Sequence, residues 1–366
     1  MAFGSSFLPN LADVRQEVLD AMLRQPISHR SDEFHTLFAN IQTGLRGLFG
    51  TARPVYVATS SGTGMMEAAI RCAPHGRVLA LVNGAFGERF ARIALACDRQ
   101  VVRHEVPRGQ VPEPAAVAES LSRNTFAAVT MVHSETSTGA LADVRGIAAA
   151  CRRASVVTIV DSVSGIGGAP FQFDEWGVDC AVSASQKAIG LPPGLGFAVA
   201  SAEFIRNAAK VKDRGVYLDL VSFDEHSQHD ETPTTPAVSL IFGLEAEVRE
   251  IEREGVAARW ARHEAMRSRV ESWSAQLLRD TGLDVGILAR SGARSPTVTV
   301  LQLPPAISAD ALISGVAARG YLIGSGYGGL AAKSVRLGHM GDHTVEELAD
   351  CISAIEVTLR AIVRAG

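Results

Sequence analysis

The chain of 366 residues has no excess of positive charge, no closely spaced cysteines and no long apolar run. Its formal net charge of -4 argues against a polyanion-binding surface, because affinity for a phosphate backbone requires clustered Lys and Arg. Nucleic acid is therefore not an expected partner. The five cysteines (Cys72, Cys97, Cys151, Cys180 and Cys351) are scattered and odd in number. They form no disulfide framework and read as reduced core thiols of a cytoplasmic protein. Met1-Ala2-Phe3-Gly4-Ser5-Ser6 lacks a basic segment followed by an apolar stretch, and Arg364-Ala365-Gly366 is no peroxisomal tripeptide. No run approaches membrane-spanning length, so neither a leader nor a membrane partner is expected. There is no internal repeat and no low-complexity tract. His226, His229 and Asp230 lie close in sequence, but in a polar stretch they read as solvated, and no metal is expected.

What the chain does have is a regular alternation. Nearly half of it is apolar and a fifth is charged, as in an ordinary globular protein. Between about Arg53 and Ala200, short apolar runs such as Val78-Leu79-Ala80-Leu81-Val82 and Ala127-Ala128-Val129-Thr130-Met131-Val132 alternate with helical periods. This predicts an α/β fold with a large, doubly wound, mostly parallel sheet. Beyond Tyr217 an irregular polar stretch leads into a long helical region from Ala237 to about Asp280, then into a smaller C-terminal α/β unit. The domain reading is an N-terminal arm over 1–18, a large domain over 19–258 and a small domain over 259–366.

In a doubly wound sheet, ligands bind at the carboxyl ends of the strands. Two such ends carry chemistry. The run Cys180-Ala181-Val182 leads to Lys187, held between small hydroxylated residues and the turn Gly190-Leu191-Pro192-Pro193-Gly194, where a solvated ammonium is not expected. Val156-Val157-Thr158-Ile159-Val160 ends in Asp161. A buried lysine with a buried acid is what a pyridoxal-phosphate enzyme needs, the first as Schiff-base amine and the second to keep the pyridine nitrogen protonated.

Three further loops fall at strand ends. Ser61-Gly62-Thr63-Gly64 opens a helix whose free N–H groups and hydroxyls suit a phosphate, a capping box being the alternative. Phe86, in Asn83-Gly84-Ala85-Phe86-Gly87, is an aromatic in a turn that either faces a flat ligand or anchors its helix. Arg336 lies inside a strand and needs an anionic partner, either a structural carboxylate or a substrate carboxylate held bidentately. Gly324-Ser325-Gly326-Tyr327-Gly328-Gly329 is no dinucleotide loop, because a strand rather than a helix follows it.

Together these segments resemble the class V aminotransferases among the fold-type-I pyridoxal-phosphate enzymes, over nearly the full length. The resemblance is carried by Ser-Gly-Thr-Gly at 61–64, Asn-Gly-Ala-Phe-Gly at 83–87, Glu-Thr-Ser-Thr-Gly at 135–139, Asp-Ser-Val-Ser at 161–164, Ser-Gln-Lys at 185–187, Tyr-Leu-Asp-Leu at 217–220, Thr-Pro-Ala-Val-Ser-Leu at 235–240 and Arg-Leu-Gly-His-Met-Gly at 336–341. It is nearest to the alanine/serine–glyoxylate and 2-aminoethylphosphonate–pyruvate aminotransferases.

The resemblance implies pyridoxal 5′-phosphate as cofactor, with Lys187 as its covalent anchor and Asp161 on the pyridine nitrogen. Phe86 would stack on the ring and Val163 would pack beneath it. Ser61, Gly62, Thr63 and Gln186 would hold the phosphate, and Ser137 would approach the phenolic side. Thr234 would reach the phosphate of a neighbouring subunit, implying a homodimer with its active site at the interface. Arg336 would bind the substrate carboxylate. The implied activity is ping-pong transfer of an amino group from a small amino acid of the alanine/serine type to glyoxylate or pyruvate. The alternatives are an aminoethylphosphonate donor, a lyase or desulfurase, and a non-catalytic cofactor-binding subunit. One departure stands out: relatives commonly open with a Gly-Pro-Gly-Pro-type stretch, replaced here by Phe7-Leu8-Pro9-Asn10-Leu11.

Overall fold

Successive residues of a strand point to opposite faces of its sheet, so a strand covered on both sides is apolar throughout. The computed structural model, which describes residues 3–365, shows this in the central strands. The first two residues of the expected arm, and the last of Arg364-Ala365-Gly366, lie outside the described residues. In chain order the strands are β1 (Ser6–Phe7), β2 (Tyr56–Thr59), β3 (Arg77–Val82), β4 (Gln100–Glu105), β5 (Ala128–Val132), β6 (Ser134–Glu135), β7 (Ala140–Leu141), β8 (Val157–Asp161), β9 (Cys180–Ala184), β10 (Leu195–Ala200), β11 (Gly286–Ile287), β12 (Val298–Gln302), β13 (Leu322–Ser325) and β14 (Ser334–Gly338).

Seven of them form the large sheet in the order β2-β10-β9-β8-β5-β3-β4. All run parallel except β10, which is antiparallel to both neighbours. Val160, Ala181 and Phe197 pack into one apolar layer with Phe38, Ile41 and Ile147. Their chain neighbours Ile159, Val182 and Ala198 enter the opposite layer with Met65, Ala69 and Phe90. Both faces are covered by helices, as the alternating sequence predicts.

The second sheet has the order β1-β13-β14-β12-β11 and packs against the helices Val256–Thr281, Ala309–Ala317 and Val345–Ala365. Its edge strand β1 comes from the N-terminus and pairs parallel to β13, so the residues after it pass between the two sheets. The long helical region expected after Ala237 is two helices, Val238–Glu254 and Val256–Thr281. They break at Gly255, whose φ of +83° is readily adopted only by glycine. Among the described residues no helix is long and apolar enough to cross a membrane.

Candidate active site

Lys187 follows β9, and Asp161 closes the neighbouring β8. Lys187 is 5% exposed, whereas the other three lysines of the chain, Lys210, Lys212 and Lys333, are exposed. Its turn is tightly held: the Gly190 amide donates to the Lys187 carbonyl at 2.9 Å, and the Ser185 hydroxyl donates to the Pro192 carbonyl at 2.7 Å. The Lys187 ammonium donates to the Pro9 carbonyl. Burial pulls its pKa down to about 7, assisted by the charge of Arg336 and opposed by Asp161 and Glu135. Near neutral pH a large fraction of this amine is therefore uncharged.

Asp161 is 2% exposed, and its Oδ1 accepts from the Val163 amide at 2.9 Å. Burial pushes its carboxyl up to about 6, against the pull of that hydrogen bond and of Lys187. Among the described residues no cationic side chain lies within salt-bridge distance of it. A buried carboxylate without a counter-cation is costly unless a ligand supplies the positive group.

Ser61 and Gly62 begin the helix Gly62–Cys72 that follows β2. The Ser61 hydroxyl accepts from the Gly64 amide at 3.2 Å, so the capping alternative describes its bond in this state. The remaining first-turn N–H groups form the positive end of the helix. Gly62 is required by packing, since a Cβ there would lie 2.5 Å from Val163 Cγ2. Two candidates distant in sequence, Gly62 and Val163, thus meet.

Phe86 begins the helix Ala85–Ala96 after β3. It is half-buried, with the Arg89 guanidinium 4.6 Å from its ring centre and the Tyr327 ring 5.9 Å away. Arg89 also donates to the Thr63 hydroxyl at 3.3 Å, placing a cation beside the phosphate candidates. Beneath the loop lies Glu135, fully buried. Its carboxylate accepts from the Phe86 and Gly87 amides at 3.1 Å each, from the Ser137 amide at 3.0 Å and from the Ser137 hydroxyl at 2.5 Å. Ser137 Oγ in turn accepts from the Ala85 amide at 2.9 Å. The Ser137 proton is thus committed to Glu135, and a ligand oxygen on that side meets a hydroxyl already engaged. Burial raises the Glu135 carboxyl while these bonds hold it down.

Arg336, on β14, reaches across from the small sheet. Its Nε donates to the Ser325 carbonyl at 2.8 Å and its Nη1 to the Thr136 carbonyl at 3.4 Å, with the guanidinium 5.5 Å from the Tyr327 ring centre. Among the described residues it has no carboxylate partner within 4 Å. The structural ion pair left open by the sequence is not formed among these residues. Thr234 is exposed, its carbonyl accepting from the Thr232 hydroxyl, and among the described residues no hydrogen bond joins it to this group. Gln186 is half-buried, and its carbonyl accepts from the Ala12 amide at 3.0 Å.

A family model described as aminotransferase class-V matches residues 10–285. The chain belongs to the class-V aminotransferases. It is 33% identical over 362 residues to an uncharacterized aminotransferase of Methanocaldococcus jannaschii, covering 97% of this chain and 92% of that one. To the serine–glyoxylate aminotransferase of Methylorubrum extorquens it is 31% identical, covering 96% and 90% of the two chains. The crystal structure of an alanine–glyoxylate aminotransferase from Nostoc sp. superposes with a TM-score of 0.89 at 31% identity, covering 98% and 97%. The fold-type-I architecture expected from the motifs is the one this class-V chain adopts.

Three residues near the site are not marked individually by the sequence. Glu135 sits inside a matched motif, but its role depends on a loop about 50 positions upstream. Arg89 is one helical turn beyond Phe86 and so shares its face, a spacing that was available as a signal. The Pro9 carbonyl has no side-chain signature at all.

Proposed function

We propose that this class-V chain binds pyridoxal 5′-phosphate and moves an amino group from a small amino acid of the alanine/serine type to glyoxylate or pyruvate, in two half-reactions. The observation that carries the proposal is the pairing of one buried lysine, pulled down to about 7 by its burial, with a buried carboxylate that has no cation within salt-bridge distance among the described residues. The residues present fit the cofactor: Asp161 for the pyridine nitrogen, Phe86 and Val163 for the two ring faces, and Lys187 as covalent anchor. Ser61, Gly62, Thr63 and Gln186, with Arg89 beside them, suit the phosphate.

When bound, the cofactor supplies an electron-withdrawing ring that makes the donor Cα–H acidic. The Asp161 carboxylate keeps the proton on the ring nitrogen. Arg336 binds the substrate carboxylate and so orients the Cα–H bond. Lys187 Nζ would accept the Cα proton, a role that requires a neutral amine near pH 7. Glyoxylate as acceptor is supported by two glyoxylate-using relatives, whose named donors differ.

The desulfurase alternative needs an exposed thiol near the site. Cys351 is buried in the core around the small sheet, where burial pushes its thiol up to about 12. All five cysteines are buried and unpaired, which accords with a cytoplasmic location. A homodimer belongs to the proposal, because an exposed Thr234 is free to reach a neighbouring subunit's phosphate.

The test is single-turnover release of the matching oxo product when alanine, serine, aspartate or 2-aminoethylphosphonate is mixed with holoenzyme before any acceptor is added. Stoichiometric release from alanine or serine, followed by amino-group transfer to glyoxylate, is expected. No release from any donor while cofactor stays bound would mean a binding subunit.

A further inference from the structure

Directly behind the lysine turn lies a cluster of buried charges that the reaction itself does not use. Arg259, on the helix Val256–Thr281, is fully buried. Its guanidinium donates to the Ala188 carbonyl at 2.8 Å and to Asp342 Oδ1 at 2.8 Å. Glu254 lies 3.0 Å from it and the fully buried Glu247 3.5 Å. The other oxygen of Asp342 accepts from Arg15 Nε at 2.7 Å. Four segments meet here: the N-terminal stretch, the helices on either side of Gly255, and the turn after β14.

Two of these segments also touch the lysine. The stretch carrying Arg15 holds Pro9, whose carbonyl accepts from the Lys187 ammonium, and Ala12, whose amide donates to the Gln186 carbonyl at 3.0 Å. The turn carrying Asp342 follows the Arg336 strand, and a Cβ on its Gly341 would lie 3.8 Å from the Lys187 carbonyl. The carbonyls on both sides of Lys187 are thus tied, one to Ala12 and one to Arg259.

A buried ion cluster is a poor device for stability alone, since packed apolar side chains of equal volume do as well or better. A planar guanidinium does fix the direction of several acceptors at once, which apolar packing cannot do. We propose that Arg259, with Asp342, Glu247 and Arg15, positions Lys187, locking the Gln186–Ala188 turn to the N-terminal stretch and to the Arg336 strand so that the amine stays within reach of the donor carbon. The inference rests on Lys187 being the reactive lysine of the proposed function.

Arg259→Lys keeps the charge but cannot span the Ala188 carbonyl and Asp342 together. Arg15→Gln, at the half-buried rim, loosens only the N-terminal tie and serves if the first variant does not fold. The first readout needs no cofactor: the pH profile of Lys187 reductive methylation by formaldehyde and cyanoborohydride, followed by peptide mass spectrometry. The exposed Lys210, Lys212 and Lys333 act as internal controls. The charges that face Lys187, namely Arg336, Asp161, Glu135 and Arg89, are unchanged in both variants. A loosened amine gains water, so its profile should move to higher pH by about one unit while the controls stay put.

The second readout is the holoenzyme. Its kcat should fall about tenfold to a hundredfold in Arg259→Lys, and less in Arg15→Gln, with KM for glyoxylate within about twofold. An unmoved Lys187 profile with unmoved kcat in the folded variants would overturn the inference. If the wild type transfers no amino group at all, the proposed function fails, and the methylation profile still decides this one.

Discussion

Replacing Asp161 by Asn separates a functional carboxylate from a structural one, because the two roles predict stability changes of opposite sign. Burial raises this carboxyl from an ordinary value near 3.8 to about 6. At about 1.4 kcal/mol per pH unit, that displacement corresponds to about 3 kcal/mol. The folded chain binds the proton more tightly than the unfolded chain, so the penalty is absent below about pH 4, grows between the two values and is complete above about pH 6.

Asn keeps the shape and removes the charge. Cofactor-free Asp161→Asn should therefore be more stable than wild type by up to about 3 kcal/mol at about pH 8, or about 4 °C in Tm for a chain of this length. The advantage should disappear near pH 4. In the holoenzyme the sign reverses, since the proton on the cofactor's ring nitrogen loses its partner, and kcat should fall by about a hundredfold or more. Scanning calorimetry of both forms at the two pH values, with single-turnover kinetics, makes the measurement. A cofactor-free variant melting at or below wild type at about pH 8 would refute the reasoning, because Asp161 would then be satisfied by the protein itself.

Borohydride reduction of the holoenzyme should fix the cofactor on the peptide containing Lys187, and Lys187→Ala should give no labelled peptide; a label on Lys210, Lys212 or Lys333 would sink the assignment. Arg336→Ala should melt within a few degrees of wild type, because no carboxylate is stranded, while the apparent affinity for glyoxylate or pyruvate falls sharply; Arg336→Lys, lacking the two-pronged geometry, should recover little of it. A melting collapse with unchanged acceptor affinity would contradict this. Glu135→Gln turns an acceptor into a donor facing the amides of Phe86, Gly87 and Ser137, and should cost about 1–3 kcal/mol by denaturant titration together with weaker cofactor retention.

The elements and chemistry that local pattern could reveal were the ones that lie at strand ends. Lys187 and Asp161 stood out because an apolar run ending in a charged residue marks the carboxyl edge of a parallel sheet, where ligands gather. Arg336 stood out as a charge inside a strand, but its partner was ambiguous until the surrounding carbonyls could be seen. Glu135, the Pro9 carbonyl and the Arg259 cluster were not legible, since each depends on segments brought together from distant parts of the chain. The break at Gly255 was not legible either: a glycine inside a helical pattern lowers expectation only slightly, and its positive φ shows only in the folded backbone.

The distribution of paired and unpaired charges carries the functional reading furthest. Behind the lysine turn, Arg15, Arg259 and Arg262 each lie within 4 Å of a carboxyl of Glu247, Glu254 or Asp342. In front of it, among the described residues, the charges stand without such partners. Among the described residues Asp161 has no cation and Arg336 no carboxylate within 4 Å, burial pulls the Lys187 amine down to about 7, and the helix Gly62–Cys72 begins beside Val163. Leaving these groups unpaired is unfavourable in the protein alone. The complement that would satisfy all of them is a phosphate, a protonated ring nitrogen and a carbonyl for the amine, as in the cofactor of the proposed function, with a separate substrate carboxylate for the arginine.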